Sequence, residues 1–192
     1  MLYDKSQTTF YGISFLILTI FVLNFEVYSQ TKLSVKNMEI KITSPAFKEG
    51  GNIDSRFSCQ GADFSPHLLW DNNLKNVKSY AIIMDDPDAP GGDFVHWIIF
   101  NIPGNMKELN ENVTPSGNIP PEVKFGTNSF GHIGYSGPCP PSGKPHRYFF
   151  KIYALDTILL HTEAGATKQQ LLKAMDGHII ASGQLIGLYK RI

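Results

Sequence analysis

One aspartate and two histidines are the side chains in this sequence best suited to chemistry. The segment DDPDAPGGDFVHW contains Asp86 and His96, and the segment HRYFF begins at His146. A histidine titrates near neutral pH, and a neighbouring carboxylate favours its charged form, which has two donors. If the three residues converge, the two charged histidines and the backbone N–H groups of a glycine-rich loop such as GYSG form a small anion-binding site, here called the bowl. A phosphomonoester suits this bowl because its second pKa is about 6.

The DPDAP turn is predicted to be rigid, which would place Asp86 reproducibly. Pro87 and Pro90 each fix their own φ at about −65°. Asp88 is predicted to fasten its own turn through bonds from its side chain to the backbone. The other acids of the segment are predicted to be solvated or locally hydrogen-bonded: Asp85 and Asp93.

Most of the chain is predicted to form short strands separated by Gly, Pro, Asn and Asp. In the last predicted strand, the alternation places Tyr148 on the same face as His146 and Arg147 on the opposite face. Trp70 and Trp97 are predicted to lie in the core. The clearest strand segments are Met38–Ile42, Ser79–Met84, Phe94–Ile102 and His146–Leu155.

A single clear helix is predicted near the end of the chain. Thr167 and Gln170 have the spacing of a capping box, and apolar residues recur at helical spacing up to Ile179. Gly183 is predicted to break the helix, and QLIGLY to form a final strand. The fold class is therefore mainly antiparallel β with one or two peripheral helices.

The first part of the sequence is predicted to lie outside this domain. The apolar run Gly12–Phe25 is shorter than the roughly 20 residues that span a bilayer, and has the length of a signal-peptide core. We expect residues 1–29 to be a signal peptide, or an uncleaved N-terminal anchor, followed by a linker at 30–37 and one domain at 38–192. The protein is then exported, either periplasmic or secreted.

Charge and cysteine content narrow the class of protein. The chain has 17 basic and 17 acidic residues, which predicts no nucleic-acid surface. Cys59 and Cys139 are the two cysteines, and in an oxidising compartment they form one disulfide or remain as two buried thiols.

Several segments together resemble the phosphatidylethanolamine-binding protein family, and within it the bacterial Raf-kinase-inhibitor-like branch. The resemblance extends over residues 38–192 and rests on motifs in the same order: CQGADFSPHLLW, DPDAP, the strand histidine, GPCPPSGKPHRY and GQLIGLYKR. It implies a central antiparallel sheet, a second smaller sheet and a shallow anion pocket at one end.

The resemblance also implies which residues line that pocket. Phe94 stands where animal members have tryptophan, so their headgroup selectivity does not carry over to this chain. The remaining implied residues are Asp86, His96 and His146 in the pocket, Pro87 and Tyr135 on its rim, and Gly137 with the GPCPP loop as a wall.

Three classes of function remain open from the sequence. The first is a non-enzymatic binding module for a small anion, such as phosphate, a phosphomonoester or a phospholipid headgroup. Such a module has no cofactor, is a monomer or a homodimer, and leaves open a regulatory or inhibitory role through surface contact with a protein partner. The second is a metal enzyme with a two-histidine, one-carboxylate site. The third is a hydrolase that uses Cys139 with His146 and Asp86.

Overall fold

Nine strands and one α-helix follow one another in the part of the chain that the structure, a computed structural model, describes: residues 38–71, 73–117 and 119–191. From Glu39 onward these residues form one compact unit. The strands are β1 (Ile42–Thr43), β2 (Gly51–Asn52), β3 (Leu68–Trp70), β4 (Ser79–Asp86), β5 (Phe94–Pro103), β6 (Glu108–Leu109), β7 (Lys124–Phe125), β8 (His146–Leu155) and β9 (Ile179–Tyr189), and the helix is α1 (Lys168–Met175).

The strands form two sheets of unequal size. The main sheet has six strands in the order β2-β9-β8-β4-β5-β7, and all its neighbours are antiparallel except β2 and β9. The second sheet has three strands in the order β1-β3-β6. The predicted fold class is therefore confirmed: a mainly β protein with a central antiparallel sheet, a smaller sheet and a peripheral helix.

Each face of the main sheet packs into its own apolar layer. On one face, Tyr80, Trp97 and Phe150 pack with residues of the small sheet, including Trp70. On the other face, residues such as Ile83 pack against the buried side of α1. Both tryptophans are in the core, as the sequence predicts. Along a regular strand, successive side chains alternate between these two layers.

The capping box forms, but the helix is shorter than the sequence pattern predicts. Thr167 accepts a hydrogen bond from the Gln170 backbone, and the Gln170 side chain accepts one from the Thr167 backbone. The helix ends at Met175, and Ile179 is already the first residue of β9. The prediction that Gly183 terminates the helix is wrong, because Gly183 lies inside β9.

A close approach of the chain explains the glycine at position 183. A Cβ atom there would lie 1.8 Å from the carbonyl oxygen of Ile40, which is a collision. The N-terminal segment reaches this point through a single bridge between Glu39 and Ser182, so the predicted strand Met38–Ile42 is reduced to Ile42–Thr43.

Strand β5 contains two β-bulges. In the first, His96 is an extra residue, because Met84 pairs with Trp97 while Asp85 pairs with Val95. In the second, two consecutive residues of β5 lie opposite a single residue of β4. One of these two β5 residues, Asn101, has φ +57°. A bulge shifts the phase of side-chain alternation by one residue. Both bulges are therefore places where the simple alternating pattern fails.

Asp85 occupies the helix side of the sheet and is fully buried, contrary to the prediction of a solvated or locally bonded acid. Its carboxylate lies 2.9 Å from the Lys151 ammonium and 2.7 Å from the Lys168 ammonium. Asp93 pairs with the same Lys168. These partners come from β8 and α1, so the local sequence around Asp85 does not reveal them.

The N-terminal predictions lie outside the described residues. They are the signal peptide or anchor at 1–29 and the linker at 30–37. No helix among residues 38–71, 73–117 and 119–191 has the length and apolar character needed to cross a membrane.

Candidate functional site

The carboxylate of Asp86 connects the two halves of the candidate site. Asp86 ends β4 on the face opposite Asp85 and is 3% exposed. Its Oδ1 accepts a hydrogen bond of 2.8 Å from the Asp88 backbone N–H, and its Oδ2 lies 2.7 Å from Nδ1 of His146, the first residue of β8. The structure thus brings Asp86 and His146 together. Nδ1 of His146 donates to the carboxylate, which leaves Nε2 of the same ring for a ligand.

It is Asp86 that fastens the DPDAP turn, which corrects the role predicted for Asp88. The Asp88 carboxylate instead accepts three hydrogen bonds from Arg147, one from its backbone and two from its guanidinium. Arg147 holds the pKa of Asp88 at about 2. Both Pro87 and Pro90 are exposed, and the described residues contain no cis peptide bond. Asp88 therefore joins the turn to β8 rather than closing the turn on itself.

The first bulge of β5 brings His96 into the site. Because His96 is the extra residue, it faces the same side as Trp97 instead of the helix side, and its ring lies 5.2 Å from the Tyr148 ring. The side chain is 3% exposed. Bulges often occur beside functional sites because they redirect a side chain in this way.

The surroundings of His96 favour its neutral form, in contrast to the expectation that both histidines are charged double donors. Its Nδ1 lies 2.8 Å from the Ser136 carbonyl oxygen, which can only accept, so Nδ1 carries the proton. Burial lowers the pKa of His96, an effect opposed by the Ser136 carbonyl and by Asp86. A neutral ring with its proton on Nδ1 presents a lone pair at Nε2. His96 therefore offers a ligand an acceptor.

Tyr148 is a site residue to which the sequence assigned no role. Its hydroxyl is buried and makes no well-formed hydrogen bond to the described residues. Burial raises the pKa of Tyr148, and the nearby Asp86 carboxylate raises it further, so the hydroxyl remains a donor. The alternation along β8 did place Tyr148 on the face of His146. An unsatisfied buried hydroxyl costs free energy unless a ligand or water completes it.

The loop predicted to supply backbone donors uses them within the protein. Ser136 N–H donates to the His96 carbonyl, and Gly137 N–H donates to the Asp63 carboxylate at 2.7 Å. Gly134 N–H donates to another loop carbonyl. The predicted GYSG bowl of free N–H groups is therefore not present at these three positions. A Cβ at Gly137 would lie 2.1 Å from the Phe57 carbonyl oxygen, so only glycine fits at this close approach.

Tyr135 and Phe94 hold different positions around the candidate site. The Tyr135 hydroxyl donates to the Phe57 carbonyl at 2.7 Å, and its ring packs against Trp97. Its polar end is therefore already bonded within the protein. The ring of Phe94 is half-buried and lies 5.3 Å from the His96 ring. Phe94 thus forms an apolar wall beside the histidine.

A disulfide fastens the wall loop to the preceding part of the chain. Cys59 and Cys139 are bonded to each other across a sequence separation of 80 residues. The Cys59 backbone N–H also donates to the Pro138 carbonyl at 3.2 Å. A disulfide-bonded Cys139 has no thiolate to act as a nucleophile, so the hydrolase alternative does not fit this structure.

The metal alternative also lacks a ligand cluster in the described residues. No group of three or more His, Cys, Asp or Glu side chains there is arranged to hold a metal ion. Other histidines do have acidic neighbours, but on the surface: His67 lies 2.8 Å from Glu108, and His178 lies 2.9 Å from Asp156. These pairs are separate from the candidate site.

Comparisons with known proteins agree with this architecture. The chain is 49% identical over 152 residues to a UPF0098 protein of Methanothermobacter thermautotrophicus, a match that covers 79% of this chain and 99% of the relative. A crystal structure of a phosphatidylethanolamine-binding protein homologue, CT736 of Chlamydia trachomatis, is 41% identical with a TM-score of 0.73, and the match covers 80% of this chain and 99% of the homologue.

A second solved structure leads to the same family. YbcL of Escherichia coli, described as a member of the mammalian PEBP family, is 30% identical with a TM-score of 0.75, over 80% of this chain and 99% of YbcL. The sequence profile described as phosphatidylethanolamine-binding protein matches residues 43–190. Because this match spans most of the chain and both structures share its fold, the chain belongs to the phosphatidylethanolamine-binding protein family.

Proposed function

We propose that the protein is a binding module that holds a singly protonated phosphomonoester between His96, His146 and Tyr148. Membership in the phosphatidylethanolamine-binding protein family supports a binding module. The observation that carries the finer proposal is the different acceptor that each histidine has at Nδ1. His146 donates Nδ1–H to Asp86, and His96 donates Nδ1–H to a backbone carbonyl.

This arrangement offers one acceptor and two donors to a ligand. The proposed complex takes His146, paired with the Asp86 carboxylate, as the imidazolium and His96 as the neutral ring with its proton on Nδ1. His96 Nε2 then accepts from the P–OH group, while His146 Nε2–H and the Tyr148 hydroxyl donate to unprotonated phosphoryl oxygens. A phosphomonoester with a second pKa of about 6 carries such a proton in about a quarter of molecules at pH 6.5 and in about a tenth at pH 7. Asp86 fixes the His146 ring and does not need to contact the anion itself.

A comparison of a phosphate monoester with a sulfate monoester provides a direct test of the proposal. Both are tetrahedral anions of similar size, but sulfate has no proton at pH 6.5 and cannot donate to His96 Nε2. In isothermal titration calorimetry at pH 6.5, we expect methyl phosphate to bind at least about tenfold more tightly than methyl sulfate, the value of one lost charge-assisted bond. Equal affinity for the two anions, or no binding of methyl phosphate, would contradict the proposal.

Two variants and one control complete the test. His96→Gln and His146→Gln should each weaken methyl phosphate binding about tenfold or more, since each removes one bond to the ligand. The matched control is His178→Gln, because His178 is exposed and pairs with Asp156 outside the site. We expect it to bind methyl phosphate as the wild type does.

An oxidising compartment is the setting that we infer for this function. The Cys59–Cys139 disulfide supports export to the periplasm or the exterior, where such bonds persist. Alkylation of the native protein with iodoacetamide, immediately after cell lysis and before any reductant, should leave both cysteines unmodified. Modification of both cysteines would argue against this location.

A further inference from the structure

Phe130 is an exposed aromatic residue directly beside the candidate site. Its side chain is 43% exposed and packs into neither apolar layer of the protein. Its ring lies edge-on to Phe94, with centroids 4.8 Å apart, and 5.6 Å from the ring of His96. Single exposed apolar residues are common and need no explanation by themselves. Phe130 differs because hydrogen bonds of the two preceding residues, Asn128 and Ser129, fix its backbone.

A buried amide fixes the backbone on both sides of Phe130. Asn128 is 4% exposed, and its Oδ1 accepts hydrogen bonds of 3.0 Å from the backbone N–H groups of Phe130 and His132. Its Nδ2 donates to the Gly134 carbonyl and to the Ser136 hydroxyl. The side chain therefore uses both of its donors and both acceptor positions of its oxygen. One residue connects the Phe130 segment to the loop that holds His96.

A second set of contacts joins this segment to β5 next to His96. The Ser129 backbone N–H donates to the Val95 carbonyl at 2.8 Å, and the Val95 N–H donates to the Ser129 hydroxyl at 2.9 Å. Val95 and Ser129 immediately precede His96 and Phe130 in the chain. The distance between the Phe130 ring and the His96 ring is thus set by short, rigid connections. An exposed aromatic held in this way loses little conformational entropy when a ligand packs on it.

We propose that Phe130 is a specificity-determining residue that selects phosphomonoesters with an aromatic substituent. This inference rests on the proposed function: the phosphoryl group occupies the polar end formed by the two histidines and Tyr148. The flat substituent then packs against the ring of Phe130, with Phe94 as a second wall. Aromatic pairs prefer offset or edge-to-face contacts, and such contacts add to the free energy gained by burying apolar area.

The test compares phenyl phosphate with methyl phosphate, using isothermal titration calorimetry at pH 6.5. We expect the wild type to bind phenyl phosphate about tenfold more tightly, which corresponds to one aromatic contact. Phe130→Ala should remove this preference and leave methyl phosphate affinity within about twofold of the wild type. Phe130→Leu, which keeps an apolar side chain, should also lose most of the preference, and carries the test if the alanine variant does not fold.

The matched control is Ile133→Ala. Ile133 lies in the same loop and is 51% exposed, but it is not part of the aromatic contacts around His96. This variant should keep the full preference for phenyl phosphate. The inference is overturned if the wild type binds both esters equally, or if Phe130→Ala weakens both esters to the same extent. Failure of the wild type to bind either ester would overturn the proposed function as well.

Discussion

Asp85 and Asp86 are neighbours in the chain, and both are buried, yet they belong to opposite faces of the main sheet. Asp85 faces α1 and is paired with two ammonium groups, of Lys151 and Lys168. Asp86 faces the small sheet and pairs with one imidazole, that of His146. The Asp85 carboxylate is thus fully compensated by fixed positive charge, which indicates a structural role.

The surroundings of Asp86 keep some capacity for a ligand. The His146 ring has a second nitrogen, His96 presents a lone pair, and the Tyr148 hydroxyl has no well-formed bond to the described residues. Buried polar groups are usually satisfied, so a cluster of unused donors and acceptors marks a binding site better than a buried charge does. The comparison shows that burial of an acid alone does not identify a site. What matters is whether its partners still have free donors or acceptors.

The largest expected effect concerns the covalent link on the Asp86 side of the sheet. Replacing both Cys59 and Cys139 with serine should lower the free energy of unfolding by about 4 kcal/mol, because the closed loop spans 80 residues. Urea denaturation measures this change, and reduction of the wild type should reproduce it. The variant should also bind methyl phosphate more weakly, since the loop that holds His96 loses its attachment. An unchanged urea midpoint would show that the disulfide contributes little.

Asp85→Asn should produce the next largest effect, and on stability alone. Removing the carboxylate leaves two lysines near each other beneath α1, so we expect a loss of about 3 kcal/mol in unfolding free energy. The lysine side chains are 30% and 19% exposed and can partly rehydrate, which limits the loss. Methyl phosphate affinity should stay within about twofold of the wild type.

The matched variant Asp86→Asn should show the opposite pattern. The amide oxygen of the introduced asparagine can still accept from the Asp88 N–H, so the free energy of unfolding should fall by about 1 kcal/mol. Methyl phosphate affinity should fall about tenfold, because His146 loses the carboxylate that fixes its ring. If Asp85→Asn were the variant that impaired binding, the assignment of the two faces would be wrong.

His96 predicts a smaller, pH-dependent effect. Burial holds its pKa in the folded protein below the unfolded value of about 6.5, so the unfolded chain binds a proton first as the pH falls. The free energy of unfolding should therefore decrease below about pH 6.5, by up to about 1.4 kcal/mol per pH unit from this residue. His96→Gln should lack this component. Denaturation curves between pH 7.5 and 5.5 measure it, and parallel curves for both proteins would refute it.

The exposed pair of Asp88 and Arg147 should give the smallest effect. Because Arg147 lowers the folded pKa of Asp88 to about 2, the pair stabilises the protein above about pH 4 and loses this contribution as the pH falls from about 4 to 2. The Arg147 side chain is solvent-exposed and the Asp88 side chain partly so, which means that Asp88→Asn should lower Tm at pH 7 by no more than about 3 °C. The difference in Tm from the wild type should disappear near pH 2, and a difference that persisted there would have another cause.

Local patterns predicted the parts of this fold that depend on local interactions. The strand His146–Leu155 has the predicted bounds because its alternation is uninterrupted, and the capping box at Thr167 needs only residues three apart. The buried state of Asp85 depends on lysines 66 and 83 residues away, which no local pattern contains. Gly183 was misinterpreted for the same reason, since its constraint comes from the Ile40 backbone.

The candidate site shows the same division. The resemblance to the family predicted Asp86, His96 and His146, and the structure brings the three side chains to one face. The sequence could not predict which nitrogen of His96 carries the proton, because the Ser136 carbonyl that decides it is 40 residues away. The sequence also could not show that the Gly137 N–H is already bonded, because its acceptor, Asp63, is 74 residues away in the chain.

The two bulges of β5 make the site depend on the number of residues as well as on their identity. The first places two consecutive residues, His96 and Trp97, on the side of the candidate site, and the second places Phe100 and Asn101 together on the helix side. Each bulge therefore reverses the phase that the other sets. Deleting one residue at the first bulge would turn the histidine towards the helix layer without changing any side chain of the site. Homologues with insertions or deletions in this strand should consequently be compared by bulge position before any residue is matched.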